Sequence, residues 1–291
     1  MIRHADFEDI PQLKEIWSEA FGEEDYAEEF YACIFRPEHT LCETEGDTVL
    51  AMLHKIPCHI EMGQGVYENV YYLFALATRS AARSRGIMGQ LIERAYEEIR
   101  SEGVETVFLI PAQESLKGYY KRFGFTPLRN LPVFETHCSR AESDRQKTVE
   151  SSITVKQASM DEAALLMKSG RWKYTNRNVY FPEAVEAFCL EWALKEEKAV
   201  FYKVFCRDRE AGFLLGKREE HILQVSVYGM DHSCWLQIGE ALREEEITAI
   251  QIPAQHNPCE FYFRELNEYG GYPISVQGGK GIELLHGLIP I

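Results

Sequence analysis

The chain has 291 residues, about two ordinary domains in length, and its 45% hydrophobic and 26% charged content is that of a globular protein. Its 46 acidic against 31 basic residues give a formal charge of −15, which argues against a nucleic-acid or anionic-membrane surface. The same charge would draw in a cationic substrate, or simply keep the protein in solution. MIRHADFEDIPQ has no leader-like basic flank and apolar core, and no run reaches the roughly 18 apolar residues of a bilayer span. Eight scattered cysteines show no C-x-x-C and no histidine pair at metal spacing, so the expectation is a soluble cytoplasmic protein with reduced thiols and no structural metal.

In chain order, a short apolar segment leads into DIPQLKEIWSEAFG. Here Asp9 is the expected N-cap, Pro11 sits in the first turn, and Leu13, Ile16, Trp17 and Ala20 repeat at helical spacing before Gly22. A second helix is predicted near Asp25 to Phe35. Strands follow at about Thr40–Glu43, Thr48–Glu61 and Val66–Thr78, punctuated by Gly46-Asp47 and Gly63-Gln64-Gly65. The helix GIMGQLIERAYEEIRSEG places Ile87, Leu91, Ala95 and Ile99 on one side, with Gly103 as C-cap. A buried strand at Val104–Ile110 and a helix at Ser115–Phe123 close the first half.

The polar, aperiodic stretch CSRAESDRQKTVESS reads as a linker. The order then repeats: ITVKQASMDEAALLM parallels the N-terminus, with Ser159 and Glu162 forming a predicted capping box. A helical tract at Pro182–Lys195 leads to strands at Ala199–Arg207, Glu210–Gly216 and His221–Tyr228. A helix at Ser233–Glu245 and a strand at Thr248–Ile252 complete it. The tetrapeptide I-P-A-Q occurs in both halves, at Ile110–Gln113 and Ile252–Gln255, each time after the last of these strands. The shared order of elements around it points to a duplicated fold.

The chemistry concentrates in LATRSAARSRGIMGQLI. A strand runs through Arg83-Ser84-Arg85-Gly86-Ile87-Met88-Gly89 straight into a helix, whose unsatisfied N–H groups and dipole can hold a pyrophosphate. Gly86 and Gly89 permit close backbone approach, and Arg83 and Arg85 add positive charge. A tight strand-to-helix turn with exposed arginines is the plainer reading of the same residues.

These residues resemble the acyl-CoA loop Q/R-x-x-G-x-G/A of the GNAT superfamily of N-acetyltransferases. Met88 stands where the family has a small residue, and Gly89 follows it. A second family feature, N-x-x-A-x-x-x-Y-x-x-x-G-F, reads here Gln113, Leu116, Tyr120 and Gly124-Phe125, with Gln113 and Leu116 departing from the usual Asn and Ala. The resemblance implies an α/β (α+β) fold of two GNAT-like domains, each a mixed, mostly antiparallel twisted sheet flanked by helices. It implies acetyl-CoA as co-substrate, held by Arg83, Ser84, Arg85, Gly86, Ile87, Met88, Gly89 and Gln113, with the main chain of Leu76, Ala77 and Thr78 pairing the pantetheine arm as an added strand would. Tyr120 falls where the family protonates the leaving thiolate, and an N–H near Ala77 would hold the oxyanion. Packing beside Tyr119 and Phe123 is the plainer role for Tyr120.

The tandem layout and the R-x-R-G-[IL]-[LM] loop resemble the Eis-like acetyltransferases, which join a working GNAT half to a degenerate one and usually add a sterol-carrier-like domain. This chain ends at Ile291, where that domain would start. The expected division is a catalytic domain at 1–138, a linker at 139–152 and a degenerate domain at 153–291. The second half carries VSVYGMDHS in place of the arginine loop, and Asp231 or Ser233 reads as a helix cap. For the general base, Glu68 is the candidate, acting directly or through water, with a solvated strand residue an equal reading of it; Glu114, His54 and His59 are weaker candidates, and loss of the proton to water is the alternative. Trp172, Tyr174, Tyr180 and Phe181 could line an acceptor pocket or simply pack. The expected function is transfer of an acetyl group to a primary amine, cationic in one reading, with homo-oligomerisation left open. Rival readings are an acyl-CoA sensor and a tandem-GNAT aminoacyltransferase using aminoacyl-tRNA.

Overall fold

The computed structural model describes residues 1–22, 24–63, 66–127, 136–137, 153–168, 179–195, 197–229, 235–251 and 262–265. The second I-P-A-Q, residues 138–152, Trp172, Tyr174 and Asp231–Ser233 lie outside them. The first half runs β1 (Ile2–His4), α1 (Ile10–Phe21), α2 (Glu24–Cys33), β2 (Thr40–Glu45), β3 (Thr48–Gly63), β4 (Val66–Thr78), α3 (Ile87–Ser101), β5 (Thr106–Leu109), α4 (Glu114–Lys121), β6 (Thr126–Pro127) and β7 (Thr136–His137). The second runs β8 (Ile153–Ala158), α5 (Met160–Lys168), β9 (Val179–Tyr180), α6 (Glu183–Lys195), β10 (Ala199–Cys206), β11 (Arg209–Glu219), β12 (Ile222–Gly229), α7 (Trp235–Leu242), β13 (Ala249–Gln251) and β14 (Tyr262–Glu265).

The expected caps are used in part. Gly22 ends α1 in the left-handed region at φ +73°, donating its N–H to Ser18 O. Ser159 and Glu162 form the reciprocal box, Glu162 N–H to Ser159 Oγ and Ser159 N–H to Glu162 Oε2. Asp9 sits at the N-cap of α1 but does not cap it; its carboxylate pairs with Arg3 at 2.6 Å and accepts the Asp6 N–H, while Asp6 caps the short turn before the helix. A bidentate guanidinium is a stronger partner for a buried carboxylate than one amide.

The strands form two mixed, mostly antiparallel sheets with helices against them. The order in the first is β1-β2-β3-β4-β5-β14-β6, with β9 attached to β3; in the second it is β7-β13-β12-β11-β10-β8. Among the described residues, only β4–β5 and β12–β13 are parallel pairs. Each sheet therefore closes with a strand from the other half of the chain. β14 lies between β5 and β6, its Phe263 opposite both Phe108 and Thr126, and β7 pairs with β13. One core layer lies between α3, α4 and the first sheet, built on Leu91, Ile92, Tyr96, Val107 and Phe125. The other covers the opposite face and joins the halves: Trp17, Phe30 and Phe74 continue through Tyr26 to Phe188 and Trp192 of α6, at ring separations of 4.9 and 5.0 Å. Burying rings of this size stabilises by about 1.5–3 kcal/mol each, so the two halves share one core.

Candidate active site

The site begins at a break in sheet pairing. β4 pairs with β5 only from Val70–Thr106 to Tyr72–Phe108, and beyond that the two strands part. On its other side β4 carries a bulge. Met52 pairs with Ala77 and His54 with Phe74, so two β4 residues, Ala75 and Leu76, face one on β3. Ala75 takes φ +48°, a left-handed conformation that costs an L residue on the order of 1 kcal/mol and turns the strand. The face alternation restarts there: Tyr72 and Phe74 precede the bulge on the α1 side, Ala75 and Ala77 follow on it, and Leu76 turns toward α3. The bulge thus leaves the β5-facing edge of β4 from Leu73 onward without β5 as partner, which is where Leu76, Ala77 and Thr78 lie.

A cavity occupies this split. It is lined by Trp17 and Phe21 from α1, Tyr72, Phe74, Ala75 and Leu76 from β4, Leu109 at the end of β5 and Ile110 just past it, and Ala112, Leu116 and Tyr120 at α4. Tyr120 is 7% exposed, edge-on to both Tyr119 and Phe125. Burial, then the neighbouring Tyr119, raises its pKa well above that of an ordinary phenol, so it stays a proton donor throughout the neutral range. The packing role set for Tyr120 in the sequence is therefore present, in a phenol that stays protonated.

Past Thr78, a short turn at Ser80–Ala82 leads to Arg83, Ser84 at φ +64° and Gly86 at φ +77°. Gly86 is the N-cap of α3 and no side chain caps it, so the first N–H groups of the helix stay open. A Cβ on Gly86 would meet nothing within 4 Å; its positive φ is what calls for glycine. Gly89 differs, since a Cβ there would come within 3.0 Å of the Phe123 ring. Its smallness serves helix packing, a more specific role than the close backbone approach the sequence offered for it. Ile87 is buried and Met88 partly buried against the α3 core, so Met88 fills core space rather than the loop.

Arg83 Nε donates to Thr78 O at 3.2 Å and Arg85 pairs with Glu45 at 3.1 Å, both exposed. Such exposed pairs are worth about 0–1 kcal/mol and yield readily to a multivalent anion. Gln113 is the exposed N-cap residue of α4, its Oε1 3.5 Å from Ser115 Oγ. Arg79 was not singled out in the sequence, yet it ties the site together: Nε donates to Val49 O, and the guanidinium meets Glu15 and Glu19 of α1. Glu19 also accepts both the N–H and Oγ–H of Ser80, bonds that hold its pKa below the usual carboxylate range.

Glu68 is far from this chemistry. It lies seven residues before Ala75 on β4, roughly 20 Å away at the rise of an extended strand, and its Oε1 accepts the hydroxyl of Thr106. That separation rules out direct contact with a group held at Ala75 and leaves transfer through water as the route open to Glu68. His54 is no base either. Thr40 Oγ donates to Arg36 O, so it accepts from His54 Nδ1, and the Nε2 lone pair faces Tyr31. Complete burial lowers the pKa of His54 to about 3. His59, near Asn69, is on the exposed end of the same strand pair. Phe181 is buried against Tyr72 at 6.0 Å and so packs beside the site.

Residues 1–128 match the family model of the acetyltransferase (GNAT) domain. No curated protein sequence matches the chain. Among solved structures it is similar to Eis1 from Mycobacterium abscessus, with a TM-score of 0.66 at 13% identity over 92% of this chain and 74% of that one. It is also similar to a GCN5-related N-acetyltransferase from Anabaena variabilis ATCC 29413 (0.65, 15%, 92% and 73%) and to one from Kribbella flavida (0.60, 17%, 91% and 71%). At these identities the likeness is one of fold, and it extends over both halves. The matched segment carries the split, the open helix end and Tyr120.

Proposed function

We propose that this protein is an acetyl-CoA-dependent N-acetyltransferase, moving the acetyl group to a primary amine by direct attack on the thioester. The observation that carries this reading is the split between β4 and β5, which has an uncapped helix end at one side and a buried tyrosine in its wall. Acetyl-CoA supplies the activated acyl group. The residues present suit it: open N–H groups of α3 with Arg83 and Arg85 for the pyrophosphate, the free edge of β4 at Leu76, Ala77 and Thr78 for the pantetheine amides, and apolar side chains around the thioester. An N–H beside the bulge would hold the oxyanion, and Tyr120 would give its proton to the departing thiolate. With no carboxylate or imidazole among the described cavity residues, the amine proton leaves to water.

We further read the chain as an Eis-like tandem: residues 1–138 bind the cofactor and do the chemistry, and residues 153–291 are a degenerate copy. The second copy contributes α6, packed on the shared core, and β14 rather than a second site. Calorimetry with acetyl-CoA and release of free thiol in the presence of an amine panel test the reading. Tyr120→Phe should leave acetyl-CoA affinity unchanged and lower kcat by about 100-fold or more. Absence of acetyl-CoA binding would refute the assignment, and full activity of Tyr120→Phe would refute the acid role.

A further inference from the structure

The turn that carries the chain from β4 to α3 is fixed by a residue outside it. Ser80–Ala82 form a single short helical turn, and the N–H groups at the start of such a turn have no partner within it. Its N-cap residue, Arg79, makes no side-chain bond to them. Glu19 of α1 does so across 61 positions of sequence, its Oε2 accepting the Ser80 N–H at 2.9 Å and the Ser80 Oγ–H at 3.1 Å. The bond from the Ser80 N–H is also the largest of the influences that hold the Glu19 carboxyl below the usual carboxylate range. The Arg79 guanidinium meets both Glu19 and Glu15, which stand four apart on α1 and whose like charges would otherwise repel. Arg79 is itself pinned to β3, by its N–H to Leu50 O and its Nε to Val49 O.

The position of this turn matters because of what lies at its two ends. Before it runs the free edge of β4 at Leu76, Ala77 and Thr78; after it come Arg83, the left-handed Ser84 and Gly86, and the open N–H groups of α3. In the acetyl-CoA reading the first takes the pantetheine arm and the second the pyrophosphate, two parts of one molecule. A loop that must be ordered on binding weakens affinity, and one held beforehand does not. The helix that holds it is firmly seated, since Leu13, Ile16 and Trp17 on its inner face are buried. Glu19 does not line the split, so its effect falls on affinity rather than on the chemistry.

We infer that Glu19 is a positioning residue: it caps the Ser80 turn from α1 and so holds the cofactor loop in its binding geometry before the cofactor arrives. This rests on the N-acetyltransferase reading above. The test compares the full chain with Glu19→Gln and Glu19→Ala, by calorimetry with acetyl-CoA and by amide exchange over residues 79–86 without ligand. Both variants remove the same charge, and in a protein of formal charge −15 that loss by itself favours an anionic cofactor. The glutamine keeps an oxygen for the Ser80 N–H and the alanine does not, while alanine, the best helix former, leaves α1 intact. Glu19→Gln should therefore bind acetyl-CoA as tightly as the unaltered protein, or up to about twofold more tightly. Glu19→Ala should bind about three- to tenfold more weakly, against the direction that its charge alone dictates. Exchange over the segment should speed up by a similar factor in Glu19→Ala only. Equal or tighter binding by Glu19→Ala overturns the positioning role, and equal weakening by both variants overturns the cap. Unchanged exchange in Glu19→Ala overturns the cap whether or not acetyl-CoA binds. If the unaltered protein binds no acetyl-CoA and exchange still speeds up in Glu19→Ala, the transferase reading fails and the cap stands.

Discussion

The two sheets cross the same point in two different ways. In the first, β4 bulges at Ala75 and Leu76 and parts from β5; in the second, β12 bulges at Ser226, between Val227 opposite Leu215 and Val225 opposite Gly216, just past its pairing with β13. The parallel pairing, the bulge and the following helix recur. What differs is the connection: Arg83-Ser84-Arg85-Gly86 before α3, against Gly229-Met230-Asp231-His232-Ser233 before α7. A bulge is a property of the sheet, kept by the packing of both faces, so it survives when the connection that follows it is different. The residue just past each bulge makes the same point. In the first sheet it is His54, packed among Trp17 and Phe30. In the second it is Gly216, where a Cβ would fall 2.0 Å from Gln224 O.

Breaking the exchange of strands should have the largest effect. Phe263→Pro removes a donor from β14 between its two neighbours, at a cost of a few kcal/mol, and should abolish acetyl-CoA binding by calorimetry although it lies about 180 residues from the loop. Thr136→Pro, in the edge strand β7, should lower the melting temperature less and leave acetyl-CoA binding by the folded protein intact. Equal loss from both would mean that the two sheets do not differ in function. Next, Gly216→Ala should destabilise by roughly 2–3 kcal/mol in chemical denaturation, because the clash is with backbone and cannot relax by a rotamer change, while the affinity of the folded fraction for acetyl-CoA stays the same.

The acid limb separates the sheets by titration. His54 is neutral in the fold, with its pKa lowered to about 3 from 6.5 by burial. Its contribution is therefore full above about pH 6.5 and is lost progressively as pH falls toward 3, when the unfolded chain takes up the proton first. His54→Gln should flatten that part of the stability–pH curve, at some cost in stability at neutral pH; an unchanged slope would place the acid sensitivity elsewhere. The smallest effect belongs to Glu45→Gln. Freeing Arg85 from an exposed pair should change stability by less than about 0.5 kcal/mol and tighten acetyl-CoA binding slightly if Arg85 meets the pyrophosphate.

Most elements of both halves were legible in the chain because their signals are local. Apolar spacing in α1 and α3, Gly22 after a helix, Ser159 with Glu162, and a strand running through Gly86 into a helix each need only a few neighbouring residues. The turn at Arg83–Gly86 that opens α3 was legible for the same reason, and so was Tyr120 within α4. The partners of distant segments were not. β14 and β7 are four and two residues long, too short to show a period, and only closure of the two sheets places them beside β5 and β13. The bulge at Ala75 lies in an unbroken apolar run, YYLFALA, with no glycine to mark it. Glu68 looked near the site because sequence counts residues, while distance along an extended strand grows by about 3.3 Å with each one. Glu19 carries no local mark at all. That its carboxylate caps a turn 61 residues further along the chain depends on α1 packing beside β4, and that neighbourhood exists only in the folded molecule.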